Sequence, residues 1–469
     1  MHKGLVLPIS EKEKERWLKM QNISDQEDEA ILSSRVRISP VEKPLYVNNI
    51  VARSPKPFGY PKHQSCTLTN GLKLLYCNRT EVEMVELILD LKAKSYYDPD
   101  HLQGLALFVS RMMLEGTQNY TGQELAQEIE SLGMSISVSP GVISMSMLSQ
   151  DLERGLQLLE EILARPLFEK KAVEKIRLQL LAELDEFWDK PTLFVGQLAR
   201  QHVYAGHPFA KNRLGTAQSL ANIDQKDLVD FHQKLVSPEG ARLAVVGDLG
   251  SHNVENMMDE VFANWKGPDV FDMQFPSLKK LSRKMIDHPI GRDQVVLCYA
   301  GLSVSRTDSD YDKLLVFDQL FSGGVSGALS CRLFELRERT GLFYTIGGSL
   351  VAGATEQPGM VVYKTIVSLD DLPDAEGEIE EAIQNGTKNI TEQEFVDAQN
   401  GLVNSLVNNF ESNEHAAQAF LFLERYHLPL DYFDKRAEQL LQLDLDSMVD
   451  AVQKILQKDL LIKLRVGRF

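Results

Sequence analysis

Ten histidines are spread through the 469 residues. None stands in an HExxH or HxxEH spacing, the arrangements that set two imidazoles on one helix face beside a general-base glutamate. The nearest pattern is Glu411-Ser-Asn-Glu414-His415, an inverted zinc spacing with Glu in place of the first His. Two ligands so spaced share one face of a helix. Asn408, Asn409, Ser412 and Asn413 around them point instead to a solvated helix start. His202 and His207 are five apart, which does not align them on a helix, and Gly206-His207-Pro208 reads as a turn. No GxSxG elbow, Walker loop or dinucleotide fingerprint is present. The glycine-rich stretch 322–327 lacks the Lys of a phosphate loop. From the residues alone, no complete catalytic constellation assembles.

The elements that would position any chemistry are those of an ordinary globular chain. Apolar residues make up 43% and charged residues 25%. At roughly 100–200 residues per domain, the length implies two to four domains with real cores. Lys and Arg number 50 against 67 Asp and Glu, a net charge of −17, which argues against a phosphate-backbone binder and favours basic peptides over nucleic acid. No apolar run reaches the 18 or so residues of a membrane span, and MHKGLVLPIS is a poor secretory signal. A cytoplasmic location, or an organellar or periplasmic one after processing, is compatible with that start. Cys66, Cys77, Cys298 and Cys331 form no CxxC and read as ordinary thiols, which leaves the redox compartment open.

Residues 1–60 read as a charged helical arm, EKEKERWLKM with a capping box at Ser24 and Glu27, followed by a connector whose stretch from Ser39 to Pro61 carries five prolines. From Cys66 the pattern changes. Asn70-Gly71 marks a turn between two strand-like runs, VELILDLKA a further strand, and 102–114 a buried helix. Thr121 caps the next helix, and MSISVSPGVISMSMLS alternates like a hairpin. Helices follow on Leu152, Leu156, Leu159 and Leu163, and on Val173, Ile176, Leu180, Leu184 and Phe187. The strand RLAVVGDL closes the unit. Val229-Asp230…Gln233-Lys234-Leu235 then recurs as Val449-Asp450…Gln453-Lys454-Ile455, and Val246-Gly247 as Val466-Gly467, both at an offset of 220. A shared offset at two places implies internal duplication. The expected fold is α+β: two homologous domains, 61–266 and 285–469, each a mostly antiparallel sheet with helices packed on one face, joined by a linker over 267–284.

On these residues the chain resembles the pitrilysin/insulinase family of zinc metallopeptidases, which includes the mitochondrial processing peptidase subunits. The first half matches in order through TNGLKLLY, GLALFVSRMMLEGT, ELAQEIESLG, RPLFEKKAVEKIR, ELDEFWDKP, HPFAKNRLGT and RLAVVGDL. The second matches through GALSCRLFELRERTGLFYTI at 327–346. The resemblance spans about residues 60–469. Where family peptidases carry HxxEH, this chain has Leu107-x-x-Ser110-Arg111, which supplies neither the two zinc-holding imidazoles nor the general base. The family's third ligand falls at Glu183, on the same face as Ile176, Leu180 and Phe187, where a carboxylate on an apolar stripe wants a partner.

Two arrangements are open for that position: Arg111 takes the vacant metal place and pairs with Glu183 through its fork, or both reach solvent. Arg337 and Tyr344 fall where active family members hold an Arg and a Tyr that reach substrate at the zinc site. Glycines 323, 324 and 327 fit either a wall of the substrate chamber or a tight strand-to-helix turn. The resemblance therefore implies a catalytically silent half of a two-part zinc metallopeptidase. No metal is expected in this chain and zinc is expected in the partner, an HxxEH-bearing homologous subunit or N-terminal half, with peptide as substrate. The alternative it implies is a scaffold homologue like the family's respiratory-complex core proteins, with no role in proteolysis.

Overall fold

The computed structural model describes residues 58–469, apart from His252, Lys280, Val325, Ser326, Ala328, Leu329 and Phe469. The arm and connector expected over 1–60 lie almost wholly outside the described residues.

The turn signal at Asn70-Gly71 joins β1 (Gln64–Thr67) to β2 (Lys73–Asn78) as an antiparallel pair, with Gly71 at φ 91°, where a side chain would be strained. β3 (Met84–Asp90) and α1 (Leu105–Met112) follow. Thr121 then caps α2 (Gly122–Ser131): its hydroxyl accepts the Glu124 N–H, and the Glu124 carboxylate accepts the Thr121 N–H. The alternating segment forms the hairpin β4 (Ser135–Ser139) and β5 (Val142–Leu148). Then come α3 (Leu152–Ala164), α4 (Lys170–Trp188), α5 (Pro191–Val203), α6 (Ala217–Asn222), α7 (Gln225–Leu235), β6 (Arg242–Gly247) and α8 (Val254–Phe262).

After a coil, the second half runs β7 (Lys284–Pro289), β8 (Gln294–Leu302), α9 (Tyr311–Ser322), α10 (Arg332–Thr340), β9 (Ile346–Ala352) and β10 (Met360–Ser368). It ends with α11 (Leu372–Asn385), α12 (Glu392–Ser405), α13 (Asn413–Arg425), α14 (Tyr432–Leu441), α15 (Leu445–Ile455) and β11 (Ile462–Gly467). Among the described residues no helix is long and apolar enough to cross a membrane.

The sheet orders are β1-β2-β6-β3-β5-β4 and β7-β11-β8-β10-β9. Without β1 they match strand for strand, down to the one parallel pair in each, β2 with β6 and β7 with β11. α7 and β6 recur as α15 and β11, 220 residues on, so the offset in the sequence is the duplication seen in the topology.

One face of each sheet packs on helices of its own half: Leu74, Leu87 and Val245 in the first, Val295, Leu297 and Val361 in the second. The other face is buried as well, by a helix from the opposite half. Leu75, Ile88, Ala244 and Val246 meet Ala416, Ala417 and Phe420 of α13, while Val296, Cys298, Leu464 and Val466 meet Phe194, Val195 and Ala199 of α5. Because strand side chains alternate between faces, a strand buried on both sides reads as an unbroken apolar run, which RLAVVG and VVLCYAG are. The glycine stretch falls between two helices, α9 and α10, so of its two readings the strand-to-helix turn does not hold. Gly323, at φ 89°, ends α9 in the left-handed conformation that stops helices.

His232 on α7 is packed edge-on against Phe168, and burial lowers its pKa to about 4 from an ordinary 6.5. The unfolded chain therefore takes up a proton first as pH falls, and stability is lost between about pH 6.5 and 4, by about 3 kcal/mol. Asp98 acts oppositely, since burial raises it to about 7 and the folded state protonates first. The expected result is a difference: urea-unfolding free energy of wild type minus that of His232→Gln grows with pH across this window. A flat difference would show that His232 does not carry the effect.

Candidate functional site

α1 is fixed at its start by Asp98, 2% exposed, whose two carboxylate oxygens accept the Gly104 and Ala106 N–H groups, each at 2.9 Å. Burial is what raises its pKa to about 7, against the pull of those bonds. Sequence reading missed this residue; an Asp before Pro99 signals only a turn. On α1, Leu107 is partly buried, and Ser110 is buried with its hydroxyl donating to the Ala106 carbonyl at 2.7 Å. Arg111 is exposed and meets Glu183 of α4, with Nη2 at 3.3 Å from both carboxylate oxygens.

Of the two arrangements open from sequence, the molecule combines parts of each. The residues pair, yet the side chains remain 47% and 43% exposed, and one nitrogen rather than the fork spans the carboxylate. Glu183 sits at the margin of the apolar stripe, so its oxygens keep water as well as Arg111. Such a half-exposed pair contributes about 0–1 kcal/mol.

These residues do not fit zinc. Leu107 has no donor atom, the Ser110 hydroxyl is spent on its own helix, and Arg111 puts a positive charge on the one carboxylate present. Among the described residues no group of three His, Cys, Asp or Glu could hold a metal ion. The contact between positions 111 and 183 nevertheless shows that α1 and α4 face each other at ligand range. Leu107→His with Arg111→His is therefore expected to bind zinc through two imidazoles one turn apart and Glu183. Metal analysis should find about one zinc per chain, as that three-ligand site requires. Adding Glu183→Ala should remove it; zinc retained without Glu183 would count against this geometry.

Arg337 and Tyr344 are brought together. Arg337 lies on α10, its guanidinium 5.5 Å from the Phe334 ring centroid and ion-paired to Glu338. Gly341, at φ 68°, ends the helix and turns the chain back. Arg337 Nε then donates to the Tyr344 carbonyl at 3.0 Å, and the Tyr344 N–H donates to the Ile366 carbonyl of β10 at 3.3 Å. The backbone of Tyr344 is thus held from both sides while its side chain is 74% exposed. A phenol and a guanidinium so placed are hydrogen-bond donors for an oxygen arriving from outside the chain.

Comparison with known proteins decides the family. Residues 73–217 match the insulinase domain of peptidase family M16, and residues 222–402 match the domain described as the peptidase M16 inactive domain. The chain belongs to the insulinase family, M16. Within it, the chain is 22% identical over 345 residues to an uncharacterized zinc protease of Rickettsia felis, covering 72% of this chain and 82% of that one. It is 26% identical over 265 residues to the mitochondrial-processing peptidase subunit beta of Neurospora crassa, covering 53% and 54%. Among solved structures, the peptidase M16 inactive domain from Pseudomonas fluorescens superposes with a TM-score of 0.76 at 25% identity, over 87% of this chain and 98% of that one.

Proposed function

We propose that this chain is the catalytically silent half of a two-part zinc metallopeptidase. It completes the substrate chamber and presents Arg337 and Tyr344 to peptide at the zinc of an HxxEH-bearing partner half. One contrast carries the reading. The zinc-motif position holds Leu107, Ser110 and an Arg111–Glu183 pair, whereas Arg337 and Tyr344 are held together with the phenol facing solvent. A tyrosine kept only for packing would be buried. A phenol and a guanidinium can hydrogen-bond the scissile carbonyl and stabilise the oxyanion that forms when the partner's zinc-activated water attacks it. The acidic chain suits basic peptides.

The test is to purify the chain with its native associates, identify them by mass spectrometry, and assay an unstructured basic peptide. The expected companion is an HxxEH-bearing homologous half, with cleavage only when both halves are present. Recovery with respiratory or other unrelated subunits, and no gain in cleavage on mixing with an HxxEH-bearing half, would instead make the chain a scaffold.

A further inference from the structure

In the second half, α9, α12, α13 and α14 line an open cavity of about 520 Å³ with aromatic walls. Two guanidinium groups line it. Arg436, 5% exposed, is neutralised by Asp312, each terminal nitrogen on one carboxylate oxygen. Arg306 is not neutralised. Its charge centre lies 4.3 Å from the Tyr311 ring centroid and 4.9 Å from that of Phe422, and one terminal nitrogen donates to the Tyr311 hydroxyl. Among the described residues no carboxylate forms an ion pair with it. Carboxylates are not scarce in a chain with 67 Asp and Glu against 50 Lys and Arg.

The Tyr311 hydroxyl takes one N–H donor, and the two ring faces hold the charge without satisfying the others as a carboxylate would. A guanidinium already fixed between them also loses little freedom when it binds. Leu315, Leu402 and Phe433 add apolar wall and Ser405 and His415 add polar lining, while Asn408 and Gln418 are exposed at the rim. A concave apolar chamber with one oriented charge is the usual form of a small-molecule site.

We propose that this cavity binds a carboxylate carried on an apolar, ring-sized body, with Arg306 taking the carboxylate and the aromatic walls taking the body. None of these residues belongs to the Arg337–Tyr344 site, so the inference stands or falls apart from the proposed function. Two sources share this chemistry, a free organic acid and the carboxy-terminal residue of a peptide.

Calorimetric titration of the full chain separates them, using 3-phenylpropanoate with its amide, and Gly-Gly-Phe as free acid and as carboxy-terminal amide. The acids should bind at least tenfold tighter than their amides. Arg306→Gln should weaken the acids at least tenfold. Asn408→Asp, a rim change that leaves Arg306 and the core untouched, should weaken them several-fold by adding a like charge, and it carries the test should Arg306→Gln misfold. Tighter binding of the tripeptide acid assigns the site to peptide termini, and tighter binding of phenylpropanoate to free acids; both outcomes support the site. Equal binding of acid and amide, no binding at millimolar concentration, or affinities unmoved by Asn408→Asp would overturn it.

Discussion

With the HxxEH-bearing half present, Arg337→Ala is expected to lower kcat/KM for peptide cleavage by about 10²–10³, the loss that removal of one oxyanion donor produces. Tyr344→Phe, which deletes only a hydroxyl on a side chain 74% exposed, should approach the same loss with no change in folding. The two are not independent, because Arg337 Nε also holds the Tyr344 carbonyl at 3.0 Å. Arg337→Ala therefore removes one donor and loosens the other, and adding Tyr344→Phe should cost less than the sum of the separate losses. The split between parameters matters as much as the size. A fall in kcat places the contacts in the transition state, whereas a rise in KM alone reports uniform substrate binding. If both single variants cleave at the wild-type rate, the assigned roles are wrong.

Much of the frame behind this prediction can be read in the sequence, and the reasons are local. Asn70-Gly71 forces a left-handed turn, Thr121 with Glu124 completes a capping box, and the alternation from Ser135 to Leu148 allows only a hairpin. The repeated offset was visible because α7 with β6 and α15 with β11 kept both their residues and their spacing. Arg337, Tyr344, Leu107, Ser110, Arg111 and Glu183 came from motif resemblance rather than periodicity. Their geometry was only half legible, for a different physical reason. Glu183 follows the helical phase of an apolar stripe, but phase alone does not say whether its oxygens face the stripe or its edge.

Less could be read where the cause was non-local. Asp98 binds N–H groups six and eight residues away, and an isolated Asp-Pro announces only a turn. Arg306 is defined by the rings of Tyr311 and Phe422, the second more than a hundred residues on, so no window of sequence contains its environment. The glycine stretch 322–327 misled because glycine marks a left-handed residue without saying which elements flank it.

The second large effect follows from the exchange of α5 and α13 between halves. Phe420 is fully buried, yet it belongs to the second half and packs on strands of the first. Phe194 makes the reciprocal contact from α5 onto the second sheet. Truncating a buried phenylalanine to alanine costs about 3–5 kcal/mol, because the vacated volume refills only in part. If each half were stable alone, Phe420→Ala would loosen only the seam between them. The fold argues otherwise: removing α13 strips Leu75, Ile88, Ala244 and Val246 of their cover, leaving a sheet with one apolar face in water. Of the three tryptophans, Trp265 is buried in the core of the first half while Trp188 packs against Phe194 at the seam, so in a Trp17→Phe, Trp188→Phe background the fluorescence reports on the first half through Trp265. Phe420→Ala is accordingly expected to shift the tryptophan unfolding midpoint to lower denaturant together with the far-ultraviolet signal, as one transition, and Phe194→Ala to do the same from the other side. A tryptophan midpoint that stays in place while circular dichroism moves would show two independently stable halves, with the exchanged helices as mere contacts.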